Sequence, residues 1–180
     1  MTVNLKNFFN PKIKMAKMGE YQELGAIEGL QISSISADLY GDGRDDLSLF
    51  FFENGANFAS IYTQSTITSA CINWNLRLKR NFVRALLVNT KNANTFTGEK
   101  GALGLKEISK SLSKALTLKA AQSPKGIHDT IKPSEILFAS TGVIGEPFPT
   151  QKIKNSVNLL VKKLRIDQSK YVWFKVASAI

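Results

Sequence analysis

The sequence predicts an α/β fold, and three observations lead to this prediction. Two short runs rich in apolar residues, Ala85–Val88 and Glu135–Ala139, are typical of strands buried inside a sheet. Between them apolar residues recur at helical spacing, so strand, loop, helix and strand follow one another as a crossover unit. The composition, 43% hydrophobic and 21% charged, is ordinary for a globular domain and excludes disordered and collagenous classes.

The N-terminal segment, residues 1–24, is predicted to form a basic arm. Its first acid, Glu20, comes after four lysines, namely Lys6, Lys12, Lys14 and Lys17. The segment lacks the apolar core of a secretory signal and the arginines of a transit peptide, so we expect a cytoplasmic protein. No run in the chain approaches the roughly 18 consecutive apolar residues of a membrane span, so a membrane is not expected as a partner.

The net charge is unevenly distributed along the chain. There are 24 Lys and Arg against 14 Asp and Glu, which gives a formal charge of +10 at pH 7. Residues 1–80 hold eight basic and eight acidic side chains, so residues 81–180 carry the whole excess. An excess of this size suggests an anionic partner. One cysteine and one histidine exclude a disulfide framework and a metal site rich in those ligands.

The first predicted element is a hairpin turn over Tyr40–Asp46. Gly41 and Gly43 can supply the positive φ angles of a tight turn, and Leu47–Phe52 then predicts a hairpin strand. The carboxylates of this turn invite a calcium interpretation. Because their spacing does not match a calcium-binding loop, we expect a plain turn and no metal.

Two short segments follow that are predicted to be β-prone, residues 57–63 and 66–72. Cys71 lies among apolar residues of the second one. We expect it to be a small buried core residue, because a nucleophilic cysteine needs a nearby base or positive field to form the thiolate. His128 stands in a polar loop and is expected to be solvated rather than catalytic.

A polar loop, residues 89–101, follows the strand Ala85–Val88 and contains three asparagines, three threonines and two glycines. Amide and hydroxyl side chains bond readily to their own backbone, which predicts a self-capped loop. The same density of donors and acceptors also suits the wall of a polar site. Both interpretations remain open on the sequence.

An amphipathic helix is predicted after this loop, because apolar residues recur at helical spacing at Leu105, Ile108, Leu112, Ala115 and Leu116. A row of lysines occupies another face, at Lys106, Lys110 and Lys114. We expect a solvated helix face, and contact with a phosphate backbone is the alternative. Near the end of the chain, Pro149 precedes a last clear helix with apolar positions from Ile153 to Leu164.

The second buried strand runs directly into a glycine-rich loop over Ser140–Pro147. Parallel pairing of the two strands would place both polar loops at one edge of the sheet, where α/β sites form. In this loop the glycine lets a backbone N–H point unobstructed beside the hydroxyl of Thr141. Thr141 and Gly142 therefore offer two converging donors of the kind an oxyanion needs. A simple glycine turn at the end of a strand is the competing interpretation.

The two loops carry motifs that resemble those of the bifunctional glutamate N-acetyltransferase/ornithine acetyltransferase family. Residues 88–94, V-N-T-K-N-A-N, with T-G-E at 97–99, are similar to the family's V-N-S-G-N-A-N-x-x-T-G-E, except that Lys91 replaces the usual glycine. Residues 139–147, A-S-T-G-V-I-G-E-P, match its second signature throughout. Residues 43–49 resemble its G-R-x-D-L-A-L and residues 61–64 its V-F-T-N, with Gln64 in place of asparagine.

The pattern and the resemblance together imply an α/β fold with a mixed sheet and packed helices over residues 25–180, like the N-terminal part of ornithine acetyltransferase. In that family a precursor cuts itself before a threonine. The freed threonine takes acetyl from N-acetylornithine and passes it to glutamate, in arginine biosynthesis. The family's oxyanion donors correspond to Thr141 and Gly142. The resemblance implies no metal and no cofactor, with acetyl-CoA as a possible acetyl donor.

The family's nucleophile corresponds to a position beyond Ile180, because residues 177–180 resemble the stretch before its M-T-T-D. We therefore expect the chain to hold half a site and to be inactive alone. It would need a complementary β-type chain carrying the threonine, in a hetero-oligomer. The alternative is a non-catalytic basic module that binds anions or nucleic acid. A nucleic-acid partner is not expected, since no aromatic residues interleave with the lysines.

Overall fold

The computed structural model describes residues 25–122 and 129–180. The basic arm over residues 1–24 and His128 lie outside the described residues, so the interpretations of both stay predictions. The described part contains four strands, namely β1 (Leu30–Ile35), β2 (Leu47–Asn57), β3 (Phe82–Asn89) and β4 (Ile136–Ser140). It also contains four α-helices, namely α1 (Ala70–Leu76), α2 (Gly98–Ala121), α3 (Thr150–Lys162) and α4 (Lys170–Ser178).

The strands form one mixed sheet in the order β1-β2-β3-β4, which confirms the predicted α/β class. β1 pairs antiparallel with β2, and β2 pairs antiparallel with β3. β3 and β4 pair parallel, in a register that runs from Ala85 opposite Ile136 to Asn89 opposite Ser140. The predicted crossover through α2 is therefore confirmed, and β3 and β4 end at the same edge of the sheet.

The main core lies on one face of the sheet, under α1, α2 and α3. Alternate residues of β2 point into it, and Leu47, Leu49 and Phe51 are almost completely buried. Burying side chains of this size contributes about 1.5–3 kcal/mol each to the free energy of unfolding. The opposite face carries a smaller cluster in which Val172 and Val176 of α4 pack on β1. α2 and α3 follow their predicted apolar stripes.

The predicted hairpin turn before β2 is confirmed. Gly41 and Gly43 have φ angles of +79° and +78°, and β1 and β2 pair on either side of the turn. The β-prone interpretation of residues 57–63 is wrong, because β2 ends at Asn57 after a register shift between Phe51 and Ala56. Ile61 is fully exposed, so the branched residues there have no sheet to pack on.

The β-prone interpretation of residues 66–72 is also wrong, because helix α1 begins at Ala70. The side chain of Ser69 accepts a hydrogen bond from Ile72 N at 3.2 Å, which caps the helix at its N-terminus. The helix then packs against β4, and this tertiary contact outweighs the strand propensity of Ile72.

Both outer strands of the sheet have their edges occupied. On β4, the side chain of Trp74 donates to Ile136 O at 2.9 Å. The amide of Asn75 donates to Phe138 O at 2.9 Å and accepts from Phe138 N at 3.0 Å, as a neighbouring strand would. On β1, Ile32 and Arg165 exchange two backbone hydrogen bonds of 2.9 and 3.0 Å. Segments of the chain thus cover backbone groups on both edges.

No helix in the described ranges combines the length and the apolar character needed to cross a membrane.

Candidate functional site

Two polar loops meet where β3 and β4 end. The first loop comprises residues 90–97 and the second comprises residues 141–149. Their backbones continue the parallel pairing of the strands, since Thr141 N donates to Asn89 O at 3.1 Å and Val143 N donates to Lys91 O at 2.8 Å. The carbonyl of Val143 in turn accepts from Ala93 N at 3.0 Å. The two loops are therefore held in fixed register as an irregular extension of the sheet.

Gly142 lies at the closest approach of the two loops. Its φ angle is +131°, a backbone conformation that side chains rarely adopt. A Cβ on Gly142 would overlap the backbone carbonyl of Lys91 and would lie 2.7 Å from Asn92 N. The loops can touch here only because residue 142 has no side chain. Its backbone N–H has no acceptor among the described residues and the residue is exposed.

Thr141, the other predicted donor, is exposed beside Gly142. Its backbone N–H is held by Asn89, while its hydroxyl has no hydrogen-bond partner in residues 25–122 or 129–180. The structure therefore brings one hydroxyl and one amide N–H together at the exposed end of two parallel strands. Two such donors are the elements of an oxyanion-binding site.

A buried polar cluster lies behind these two donors. The hydroxyl of Ser140 donates to Asn89 Oδ1 at 2.6 Å, and the amide of Asn89 donates to Asn92 O at 3.1 Å. Cys71 Sγ lies 3.0 Å from Ser140 Oγ. Ser140 comes immediately before Thr141, so this cluster fixes the backbone from which both exposed donors project.

Cys71 is 3% exposed, as the core interpretation expects. Burial raises the pKa of its thiol, and hydrogen bonds with Ser140 and Asn94 offset only part of that effect. A thiol with a raised pKa is a poor nucleophile near neutral pH, because little of it is ionised. Cys71 therefore supports the loops rather than supplying chemistry.

The asparagines of the first loop hold its irregular path. Asn92 Nδ2 donates to Glu146 O at 2.8 Å, and Asn92 Oδ1 accepts from Asn94 N at 2.8 Å. Asn94 is fully buried, and its Oδ1 accepts from Thr97 Oγ1 at 2.7 Å. The self-capped interpretation is therefore confirmed for these side chains, and they also join the first loop to the second.

Residues of the first loop adopt left-handed backbone conformations. Lys91, Asn94 and Phe96 have φ angles of +70°, +50° and +58°. Asparagine tolerates this region, whereas lysine and phenylalanine disfavour it. Phe96 is 67% exposed, and Val143 and Ile144 of the second loop are exposed as well, while Gly145 N of that loop donates to Thr95 O at 2.9 Å. Exposed apolar side chains thus border the two donors.

Sequence reasoning missed a contribution from Asp46, which it treated only as part of the turn. The carboxylate of this buried residue accepts hydrogen bonds from Ala37 N at 2.7 Å and Leu39 N at 2.6 Å. Its backbone carbonyl accepts from Thr90 N at 3.0 Å, which ties the turn to the first loop. The match of residues 43–49 to a family motif was the available signal.

The neighbouring turn carboxylates have protein partners. Asp45 forms an ion pair with Lys175 at 3.1 Å and Asp42 forms one with Arg44 at 3.3 Å. In the part of the chain that is described, no group of three or more His, Cys, Asp or Glu side chains could hold a metal ion. The lysine row of α2 is exposed and lies on the helix face turned to solvent.

A cleft of about 540 Å³ lies at the other end of β3 and β4, beside the first residues of these two strands. Residues of both charge signs line it, including Glu53, Arg84 and Lys132. None of the predicted site residues lines this cleft. Thr141 and Gly142 lie at the carboxyl end of β3 and β4, where the two polar loops meet.

A scan of protein families matches residues 31–180 to the ArgJ family. The arginine biosynthesis bifunctional protein ArgJ of Mesorhizobium japonicum is 35% identical over 162 residues, which are 89% of this chain and 35% of that protein. The protein of the same name from Rhizobium meliloti is 31% identical over 161 residues, again 89% of this chain and 35% of its own. The chain thus spans about a third of the length of these curated relatives.

Solved structures show the same fold. An ornithine acetyltransferase of Mycobacterium tuberculosis, in complex with ornithine, superposes with a TM-score of 0.73 at 23% identity. The match covers 85% of this chain and 75% of the solved one. The arginine biosynthesis bifunctional protein of Bacillus halodurans gives a TM-score of 0.65 at 22% identity, over 78% and 66% of the two chains.

Proposed function

The chain belongs to the ArgJ family, and on that basis we propose that it supplies the oxyanion-binding part of an acetyltransferase site in arginine biosynthesis. In this proposal acetyl passes from N-acetylornithine to glutamate through an acetyl ester on a threonine. That threonine belongs to a β-type segment outside these 180 residues, and the two parts form a hetero-oligomer. The support is family membership together with the arrangement of Thr141 and Gly142.

The proposed reaction has two half-reactions that share one oxyanion site. The threonine Oγ attacks the acetyl carbonyl of N-acetylornithine, and its proton passes to the threonine's own α-amine. The tetrahedral intermediate then collapses, the C–N bond breaks, and ornithine leaves with a proton. The neutral amine of glutamate next attacks the ester carbonyl, and the C–O bond to threonine breaks. The proton of the attacking amine returns to the threonine oxygen through the α-amine, and N-acetylglutamate leaves. In both halves the acetyl oxygen becomes negative, and the Thr141 hydroxyl and the Gly142 N–H donate to it.

One observation carries this proposal most directly: two neighbouring donors are exposed and have no acceptor in the described part of the chain. The loops around them are fixed by backbone and asparagine hydrogen bonds. Donors that are held in place before the reaction stabilise a developing charge without reorganising. A simple glycine turn would not require the close contact of Gly142 with the first loop.

No metal or cofactor enters the proposed reaction, because the acetyl group is carried as a covalent ester. Acetyl-CoA would serve only as a second acetyl donor, through attack of the same threonine on the thioester carbonyl. The leaving group would then be the thiolate of coenzyme A instead of the amine of ornithine. The oxyanion donors would be the same two groups.

The test is reconstitution of the two parts. The 180-residue chain would be co-expressed with the threonine-bearing C-terminal part of the Mesorhizobium japonicum relative, and transfer of acetyl from N-acetylornithine to glutamate would be measured. We expect activity only in the mixture and none in the chain alone. Thr141→Val should lower kcat about 100-fold, which is typical for loss of one oxyanion donor, and Thr141→Ser should retain most activity.

Thr130→Val is the matched control, because Thr130 lies beside the cleft at the other end of β3 and β4. It removes the same hydroxyl from an exposed threonine and should leave kcat unchanged. Full activity of Thr141→Val in the reconstituted complex would contradict the role of Thr141. Acetyl transfer by the 180-residue chain alone would contradict the division of the site between two parts.

A further inference from the structure

Lys91 stands in the first loop directly against Gly142. Its carbonyl accepts the hydrogen bond from Val143 N at 2.8 Å, and its backbone fills the space that a side chain on Gly142 would need. The lysine side chain therefore starts at the residue of the first loop whose backbone touches Gly142. Its flexible stem can carry the ammonium group across the neighbourhood of that donor.

The conformation of Lys91 is unfavourable for a lysine. A φ angle of +70° brings Cβ close to the following carbonyl, and glycine avoids this cost. The motif that residues 88–94 resemble has glycine at this place. Asn94, which has a similar φ angle, uses its side chain to hold the loop. The side chain of Lys91 forms no hydrogen bond or ion pair within residues 25–122 and 129–180.

The charge environment leaves the Lys91 ammonium without a carboxylate of its own. Neither Glu99 nor Glu146, the acids of the adjoining loop and helix segments, forms an ion pair with it in the described structure. By contrast, Lys152, Lys154 and Lys175 form ion pairs with Asp38, Glu107 and Asp45. Lys91 is a partly buried residue, and a cation without a partner on a loop that touches the Thr141–Gly142 segment attracts an anionic group of a ligand.

We infer that Lys91 is a specificity-determining residue whose ammonium binds a carboxylate of the amino-acid substrate, while Thr141 and Gly142 bind the acetyl oxygen. The inference rests on the proposed function. A cation at this place favours a substrate with two carboxylates, such as glutamate or its N-acetyl form. It disfavours a substrate whose side chain ends in an ammonium group, such as ornithine. Lys91 would thus bias the site toward the acidic acceptor.

The test measures ligand preference in the full 180-residue chain by NMR, through the amide signals of Gly142 and Val143. The probes are N-acetylglutamate and N-acetylglutamine, which have similar shapes and differ by one negative charge. We expect the wild-type chain to bind N-acetylglutamate about three-fold more tightly at low salt, the range of a partly exposed ion pair. The preference should fall in 0.5 M salt, a condition that shortens the Debye length to about 4 Å.

Lys91→Gln removes the charge but keeps a long side chain in the same backbone conformation, so the preference should fall to about one-fold. Lys91→Arg should restore it, and Lys106→Gln, at an exposed lysine of α2, should leave it unchanged. A purely structural role for Lys91 would not produce this pattern. The inference is overturned if the preference survives Lys91→Gln, or if the wild-type chain shows no preference or no binding.

This experiment is independent of acetyl transfer. Failure of the reconstituted complex to transfer acetyl, with a ligand preference that depends on Lys91, would contradict the proposed function and leave the carboxylate contact standing. If the complex transfers acetyl but the ligand preference does not change in Lys91→Gln, the proposed function stands and the carboxylate contact of Lys91 is contradicted.

Discussion

At the scale of single residues, the contact between the two loops requires unusual backbone at two positions, and only one of them is glycine. Gly142 has no space for a Cβ, whereas Lys91 has space for its side chain but holds a left-handed φ angle. The first constraint is steric and any substitution would separate the loops. The second is conformational and has a measurable cost.

Replacing Lys91 by glycine should therefore stabilise the protein. We expect Lys91→Gly to raise the free energy of unfolding by about 0.5–1 kcal/mol, because relief of the left-handed strain exceeds the greater entropy of glycine in the unfolded chain. Urea denaturation measures the change. Lys106→Gly, within α2, is the matched control and should destabilise by about 1 kcal/mol. Destabilisation by Lys91→Gly would show that the lysine side chain itself stabilises the loop.

The buried thiol of Cys71 makes stability depend on pH in the alkaline range. Burial raises its pKa in the folded chain, so folding favours the protonated thiol. This contribution is fully present below the pKa of the unfolded thiol and is lost as pH rises through the folded pKa. The free energy of unfolding of the wild type should therefore fall above about pH 8.5, and that of Cys71→Ala should fall less.

Thiol labelling provides a second measurement of the same group. We expect an aromatic disulfide reagent to label Cys71 slowly at pH 8 in the folded chain and rapidly in urea. Rapid labelling of the folded chain at pH 8 would contradict both the burial of Cys71 and the raised pKa.

At the scale of elements, helices α2 and α3 are joined by an ion pair at the surface. Lys154 Nζ lies 2.7 Å from Glu107 Oε2, and the hydrogen bond and the positive charge of Lys154 lower the pKa of Glu107. Because the folded pKa lies below the unfolded one, the pair contributes stability above the ordinary pKa of glutamate. That contribution is lost as pH falls through the lowered folded value.

Glu107→Gln should therefore reduce the free energy of unfolding slightly at pH 7 and have a smaller effect at pH 3, because the contribution falls once the pH is below the ordinary pKa of glutamate. The effect is small because the pair lies at the surface, with 29% of the Lys154 side chain and 55% of the Glu107 side chain exposed. Chemical denaturation at the two pH values measures it, and a double-mutant cycle with Lys154→Gln isolates the pair. An equal effect of Glu107→Gln at both pH values would mean that the charge of Glu107 is not the cause.

Elements with a clear hydrophobic period could be predicted, and those fixed by polar contacts could not. α2 and α3 have apolar stripes that bury against the sheet, and their sequence pattern shows this. β1 was not predicted, because Ser33 and Ser34 are buried although they are polar, so the alternation of apolar and polar residues typical of a strand is interrupted. Ser33 Oγ instead donates to Leu160 O at 2.9 Å, a partner 127 residues away. Such pairing is invisible in local sequence.

At the scale of the whole molecule, the sequence predicted the topology that places the site. A strand, a helix and a second strand imply a parallel crossover, and this puts the ends of β3 and β4 at one edge. The loop contacts themselves could not be predicted, because Asn92 and Glu146, or Asp46 and Thr90, are distant in the chain. The resemblance to the family motif indicated Thr141 and Gly142 as donors. The register between the two loops is visible only in the structure.

The occupied edges of the sheet restrict how another polypeptide can associate with this one. Trp74 and Asn75 take up backbone groups of β4, and Arg165 takes up those of Ile32 on β1. Strand addition is the usual route by which exposed sheets recruit neighbours or aggregate, and here it would first have to displace these contacts. The β-type part of the proposed function would therefore meet this chain through side chains, on a sheet face or over the two loops. Assembly through side chains is selective, because it depends on the identity of the partner, whereas bare backbone accepts almost any strand.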